Sequence, residues 1–154
     1  MLRRWLDFTR DQAGAVLVEF TVMAPLLLTL WLAAIEFGFI LGDNVTLTTA
    51  TNAGAYKLAT DRGVSSTPLT DTLNQIKASA GTLTAANITT TVTICTSSTG
   101  CAVCTTDASC STDLTSAQGQ AATVATSYPC VFVFALLNLG PTCKLTATMT
   151  NIVQ

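Results

Sequence analysis

The polar and apolar positions divide the chain into three regimes. From Ala15 to Leu41 nearly every residue is apolar. This stretch of 27 residues would run about 40 Å as a helix, against a hydrocarbon core of about 30 Å. It reads as a membrane-spanning helix, with Glu19 near one interface and Glu36 near the other. A secretory signal peptide has an apolar core of only about 7–15 residues, and this stretch is longer and carries Glu19, Pro25 and Glu36. Beyond Leu41 the period becomes that of an amphipathic helix. Leu47, Ala50, Gly54 and Leu58 share one face, so the helix should continue to about Thr60, although Val45–Thr51 is rich in β-branched residues.

A loop follows over Arg62–Ser66. Thr67 and Pro68 then form a helix start, as N-cap and first helical residue. Leu69, Leu73, Ile76 and Ala80 supply one apolar stripe, and Gly81 is a natural stop. Ile88, Val92 and Ile94 alternate with Thr89, Thr91 and Thr93, which is strand periodicity with one face buried. Cys130–Leu137 is an unbroken apolar run, too short to span a membrane, and reads as a central strand followed by an Asn138–Pro141 turn. Leu145, Ala147 and Met149 alternate with Thr146, Thr148 and Thr150 to give a last strand. Thr96–Tyr128 reads as an exposed insert rich in Ser, Thr and Cys, with little apolar material to fold on. The fold expected is α+β: a long N-terminal transmembrane helical stem, then a small antiparallel sheet with a short helix, in a pilin-like arrangement. Its divisions are a cytoplasmic leader 1–14, a transmembrane and stem helix 15–60, and a Cys-rich outer domain 61–154.

Composition sharpens this picture. Of 154 residues only 10% are charged, and the net charge is −2. Mean hydropathy is +0.51, too apolar for a typical soluble domain of this size. No basic surface is available for nucleic acid. There is no His, which removes Ser/His and Cys/His catalysis and most catalytic zinc sites. Asp71, Asp107 and Asp113 are isolated in polar contexts, so no catalytic residue and no cofactor is assigned. Arg3, Arg4 and Arg10 precede the membrane segment, and the positive-inside rule then places the N-terminus in the cytoplasm.

All six cysteines, Cys95, Cys101, Cys104, Cys110, Cys130 and Cys143, lie beyond the membrane segment. Their even number and the outer location suit a disulfide framework, whose 15 complete pairings the sequence leaves open. Two rival chemistries share these residues. Cys101-Ala-Val-Cys104 has the spacing of a redox pair, without the βαβ context such a pair needs. Cys95, Cys101, Cys104 and Cys110 could form a four-thiolate zinc site, at irregular spacing. Asn44-Val-Thr and Asn87-Ile-Thr match the glycan acceptor pattern and are taken as chance.

Glu19 is the most telling residue, because a carboxylate entering a bilayer costs a few kcal/mol unless it is paired. Gly14-Ala15 with Glu19-Phe20, Met23-Ala24-Pro25-Leu26-Leu27-Leu28, and Ile35-Glu36-Phe37-Gly38 resemble the TadE-like family, minor pseudopilins of the Tad (tight adherence) branch of type IV pili. The resemblance covers roughly residues 11–58 and does not extend to the Cys-dense stretch. It implies cleavage by a prepilin peptidase between Gly14 and Ala15, which would make Glu19 the fifth residue of the mature chain. It implies that Glu19 sets the register between subunits. The partners implied are other pilins and pseudopilins, the Tad secretion machinery and the inner membrane. Pro25, which cannot donate to the Thr21 carbonyl, predicts a local kink. The alternative is an uncleaved single-pass envelope protein presenting a disulfide-rich surface domain.

Overall fold

The apolar stretch and the amphipathic stretch form one uninterrupted helix, α1, Gln12–Thr60. The computed structural model describes residues 12–97, 100–130 and 143–154. Two further helices follow, α2 (Pro68–Ser79) and α3 (Asp107–Ser116), with a short 3₁₀ turn at Ala85–Asn87. The strands are β1 (Thr89–Cys95), β2 (Cys101–Cys104), β3 (Ala121–Pro129) and β4 (Lys144–Ile152). They form one antiparallel sheet in the order β2-β1-β3-β4. The α+β class and the long stem therefore stand as expected.

The β-branched run after Val45 stays helical for two reasons. Its hydroxyls bond back one turn: Thr46 to the Gly42 carbonyl, Thr48 to Asn44, Thr49 to Val45 and Thr51 to Leu47. Tertiary packing supplies the rest, because Leu47, Ala50, Thr51, Gly54, Ala55, Leu58 and Ala59 are all buried. This stripe lies across β3 and β4 and against α2. Fully burying a leucine contributes about 1.5–3 kcal/mol, more than the small propensity deficit of a threonine. The stripe also carries a polar contact, the Thr51 and Thr126 hydroxyls meeting at 2.5 Å in the interior.

All three helices cover the same face of the sheet. Val92 and Ile94 of β1, Ala122, Val124, Thr126 and Tyr128 of β3, and Ala147 of β4 point into it. The opposite face is built from rows of small and hydroxyl residues: Thr89, Ser127 and Thr146; Thr91, Ala125 and Thr148; Thr93, Thr123 and Thr150. It carries no charged side chain in those rows. Within the last row the Thr123 and Thr150 hydroxyls lie 2.8 Å apart.

Several expectations need correction. The stretch Thr96–Tyr128 is not an unstructured insert; it contains β2, α3 and β3. The place between β1 and the last strand, assigned from pattern to Cys130–Leu137, is held by β3 instead. Residues 131–142, and with them the rest of that run and the Asn138–Pro141 turn, lie outside the described residues, as do Arg3, Arg4 and Arg10. Thr67 occupies the N-cap of α2 but its side chain makes no capping bond. Ser65 accepts from the Thr67 N–H, and the Asp107 carboxylate of α3 accepts from both the N–H and the hydroxyl of Thr70, at 2.9 and 2.6 Å.

The cysteines pair as Cys95–Cys101, Cys104–Cys110 and Cys130–Cys143, leaving none free. The first joins directly opposed residues of the β1–β2 hairpin. The second ties β2 to α3 and is buried, with Cys104 and Cys110 both inside the core. The third joins the residues that flank 131–142, next to the β3–β4 ladder. Bridges closing loops of this size restrict the unfolded chain by about 2–3 kcal/mol each. They replace the apolar mass that α3, a ten-residue helix burying only Cys110 and Leu114, cannot supply.

The contact between Asp107 and Thr70 makes a pH test of the α2–α3 junction. The hydroxyl and amide of Thr70 hold the Asp107 carboxyl below its ordinary value. A depressed carboxylate contributes stability above its unfolded pKa, and that contribution is lost as pH falls through the folded value. Asp107→Ala should therefore lower the thermal midpoint at neutral pH. The gap to wild type should close as pH is taken below about 4. A gap that stays constant across an acid titration would show that the carboxylate charge plays no part.

Candidate membrane and assembly site

From Val16 to Leu41 α1 projects beyond the sheet with most of its apolar side chains bare. Val16, Leu17, Val18, Phe20, Val22, Leu26, Leu28, Leu30, Trp31 and Phe37 are each more than half exposed. A soluble protein does not leave so large a contiguous apolar surface in water. The segment is long and apolar enough to cross a membrane. The polar groups within it are of the kind a bilayer tolerates, since the Thr21 and Thr29 hydroxyls bond back to the Leu17 and Leu26 carbonyls.

The residues singled out by sequence lie in order along this segment. Gly14 is in the first turn of α1 and exposed, with open space where a Cβ would be. Glu19 is one turn further on, exposed, beside Val18, Val22 and Met23. Pro25 lies within α1, which continues through it as a single element. Gly38 and Gly42, a small pair four residues apart on the helix, are exposed, with nothing near the position of a Cβ on either.

Glu36, which the sequence reading places near the far interface, lies further along the same helix. It has no exposed surface at all, in a stretch whose neighbours Ile35, Phe37 and Phe39 are exposed.

The rival cysteine chemistries do not survive the pairing. Cys101 and Cys104 are bonded to different partners rather than to each other, so no C-x-x-C redox couple exists. The four sulfurs of the zinc alternative are all in disulfides and offer no thiolate.

At the head end of α1, Lys57 pairs with the buried Asp61, one turn on. That hydrogen bond holds the Lys57 ammonium above its ordinary pKa. Arg62 donates to the Thr115 carbonyl in the last turn of α3, satisfying one of the open carbonyls there. These contacts fix the head on the stem and leave no cleft lined by converging titratable groups among the described residues.

The architecture defines a class: a single apolar helix of membrane-spanning length whose distal half is built into a disulfide-tied α+β head. Within this helix residues 14–55 match the family model described as TadE-like protein, so that stretch is similar to this family. Neither a curated protein nor a solved structure matches the chain.

Proposed function

We propose that this chain is a non-enzymatic minor pseudopilin that acts in assembling or priming a Tad-type pilus used in surface adhesion. The observation that carries the reading is where the TadE-like match falls. It opens on Gly14, takes in Glu19 and Pro25, and ends inside the buried part of the stem. In this reading residues 1–14 are a cytoplasmic leader, 15–60 the membrane and stem helix, and 61–154 the outer domain, exposed to an oxidising compartment. A prepilin peptidase of the inner membrane cuts between Gly14 and Ala15. The new ammonium of Ala15 then stands one helical turn from Glu19. A carboxylate of one subunit and an ammonium of the next neutralise each other in a low dielectric, and the pairing selects register. Pro25 loosens the helix at the Thr21 carbonyl, which lets neighbouring stems adjust to one another.

Intact mass of the protein from native membranes tests the processing step. We expect a chain beginning at Ala15 with six oxidised cysteines. A chain retaining residues 1–14 would instead establish the uncleaved envelope protein, which the apolar helix and the three disulfides fit equally well.

A further inference from the structure

We infer that the outer face of the sheet, the one turned away from α1, is the contact surface for a second copy of this chain. The two sheets stack face to face, with both stems entering the membrane on the same side. The inference needs α1 to span a bilayer and does not depend on whether the chain enters a pilus.

The chemistry of the face points to it first. Thr89 and Thr91 of β1 and Thr146, Thr148 and Thr150 of β4 are exposed, on either side of the half-buried β3 residues between them. Charged side chains are what ordinarily keep one sheet from associating with another. This face carries one, Lys144, and it stands at the membrane end of the edge strand β4. A twin of the face therefore meets no like charge over the rows of β1 and β3. The side chains in those rows are short, so two such sheets can approach to the ~10 Å of ordinary sheet packing.

The two large apolar residues on this face say how the copies align. Val103 on β2 and Ile152 on β4 are each more than half exposed. They lie on opposite edges of the sheet but toward the same end. Val103 belongs to the row of Thr93, Thr123 and Thr150, and Ile152 to the next row, with Ala121. A two-fold axis running along the strands places β4 of one copy over β2 of the other, and β1 over β3. Ile152 of each copy then falls over the partner's Val103 and the exposed Cys101 beside it, and the contact is made twice, as an isologous interface requires. An axis across the strands would instead set Ile152 against the partner's Lys144.

The membrane selects the same axis. β4 runs alongside α1 to the hydrogen bond between the Gln154 N–H and the Ala59 carbonyl, so the strands lie lengthwise on the stem. Rotation about that direction leaves both stems pointing the same way, whereas the axis across the strands would point them apart. The area is sufficient under this constraint. At ~4.8 Å between strands and ~3.3 Å per residue, the four strands present roughly 450 Å² a copy. The pair buries roughly 900 Å², close to the ~1,000 Å² at which specific interfaces begin. Two copies held in one bilayer have already lost part of the translational and rotational freedom that association costs in solution.

Site-specific photo-crosslinking of the full chain in native membranes tests this, with heavy and light copies expressed together. A benzophenone amino acid at Val103 should give heavy–light adducts on residues 148–152. The same probe at Thr112, exposed on α3 and on the other side of the sheet, should give none. Thr91→Lys, an exposed position that leaves the core untouched, should cut the Val103 adduct at least tenfold. Pairing that chain with an Ala125→Glu copy should restore it, because β1 of one copy lies over β3 of the other. The inference is overturned by Val103 adducts only to lipid or a different protein, or by no heavy–light adduct at all. Equal labelling from Thr112, a Thr91→Lys chain that labels like wild type, or a mixed pair that recovers nothing would overturn it too.

Discussion

If the chain is the pseudopilin proposed above, Glu19→Ala is expected to abolish pili while leaving the protein at its normal length and level in the membrane. Glu19 is exposed on an apolar helix and makes no contribution to the core of the head, so its loss should not unfold the chain. Its effect appears only when stems pack together. In the proposed assembly the substitution would strand the Ala15 ammonium of a neighbour in a low-dielectric environment, and an unpaired buried charge costs about 3–5 kcal/mol. That corresponds to a loss of assembly on the order of a hundredfold or more. Glu19→Gln, which keeps the shape and removes the charge, should fail nearly as completely, whereas Glu19→Asp should retain part of the activity. Pilus counts by electron microscopy, alongside immunoblots of the membrane fraction, separate assembly from expression. Wild-type piliation by the alanine variant would falsify the register role.

Gly54→Leu is expected to undo the seat of α2 on the stem. A Cβ at position 54 would lie within 3 Å of both Cγ1 and Cδ1 of Ile76, and Thr72 is close behind. Cγ1 is held near the branch of the side chain, so Ile76 has little freedom to move away, and it is itself fully buried. Any gain in helix propensity, about 1 kcal/mol on leaving glycine, is smaller than the overpacking cost of about 3 kcal/mol. The thermal midpoint should fall by several degrees, roughly 10 °C or more for a head of this size. Cutting back Ile76 to alanine in the same chain should restore part of the loss, because it vacates the space the leucine enters. If the single and double variants melt together, the contact between α1 and α2 is not what positions the head.

These residues also show what a sequence discloses. The stem was legible because a long apolar run and a following 3.6-residue period are strong signals, and β1 and β4 were legible because Thr alternates with larger apolar residues there. β3 was not. Its inward residues Ala122, Val124, Thr126 and Tyr128 face outward ones of nearly the same character, Ala121, Thr123, Ala125 and Ser127, so alternation carries little contrast. α3 was hidden for a different reason. Asp, Ser, Thr and Cys are poor helix formers, and the helix is held by a capping box at Thr106 and Ser109 and by the Cys104–Cys110 bond. Thr106 preceding Ser109 by three was the available sign, but without Glu or Gln it is a weak one. In the candidate site, Gly14, Glu19 and Pro25 were visible as a spaced set, whereas burial of Glu36 depends on tertiary structure and leaves no trace in local pattern.

No linker separates the membrane helix from the head: α1 enters the core as one rigid rod, and β4 lies alongside it, running the same way to the Gln154–Ala59 hydrogen bond. A pull on the head away from the membrane therefore has no hinge to extend. It loads the Leu47–Leu58 stripe in shear, with every buried contact along that stripe resisting at once rather than one after another. Such a joint yields abruptly and at high tension.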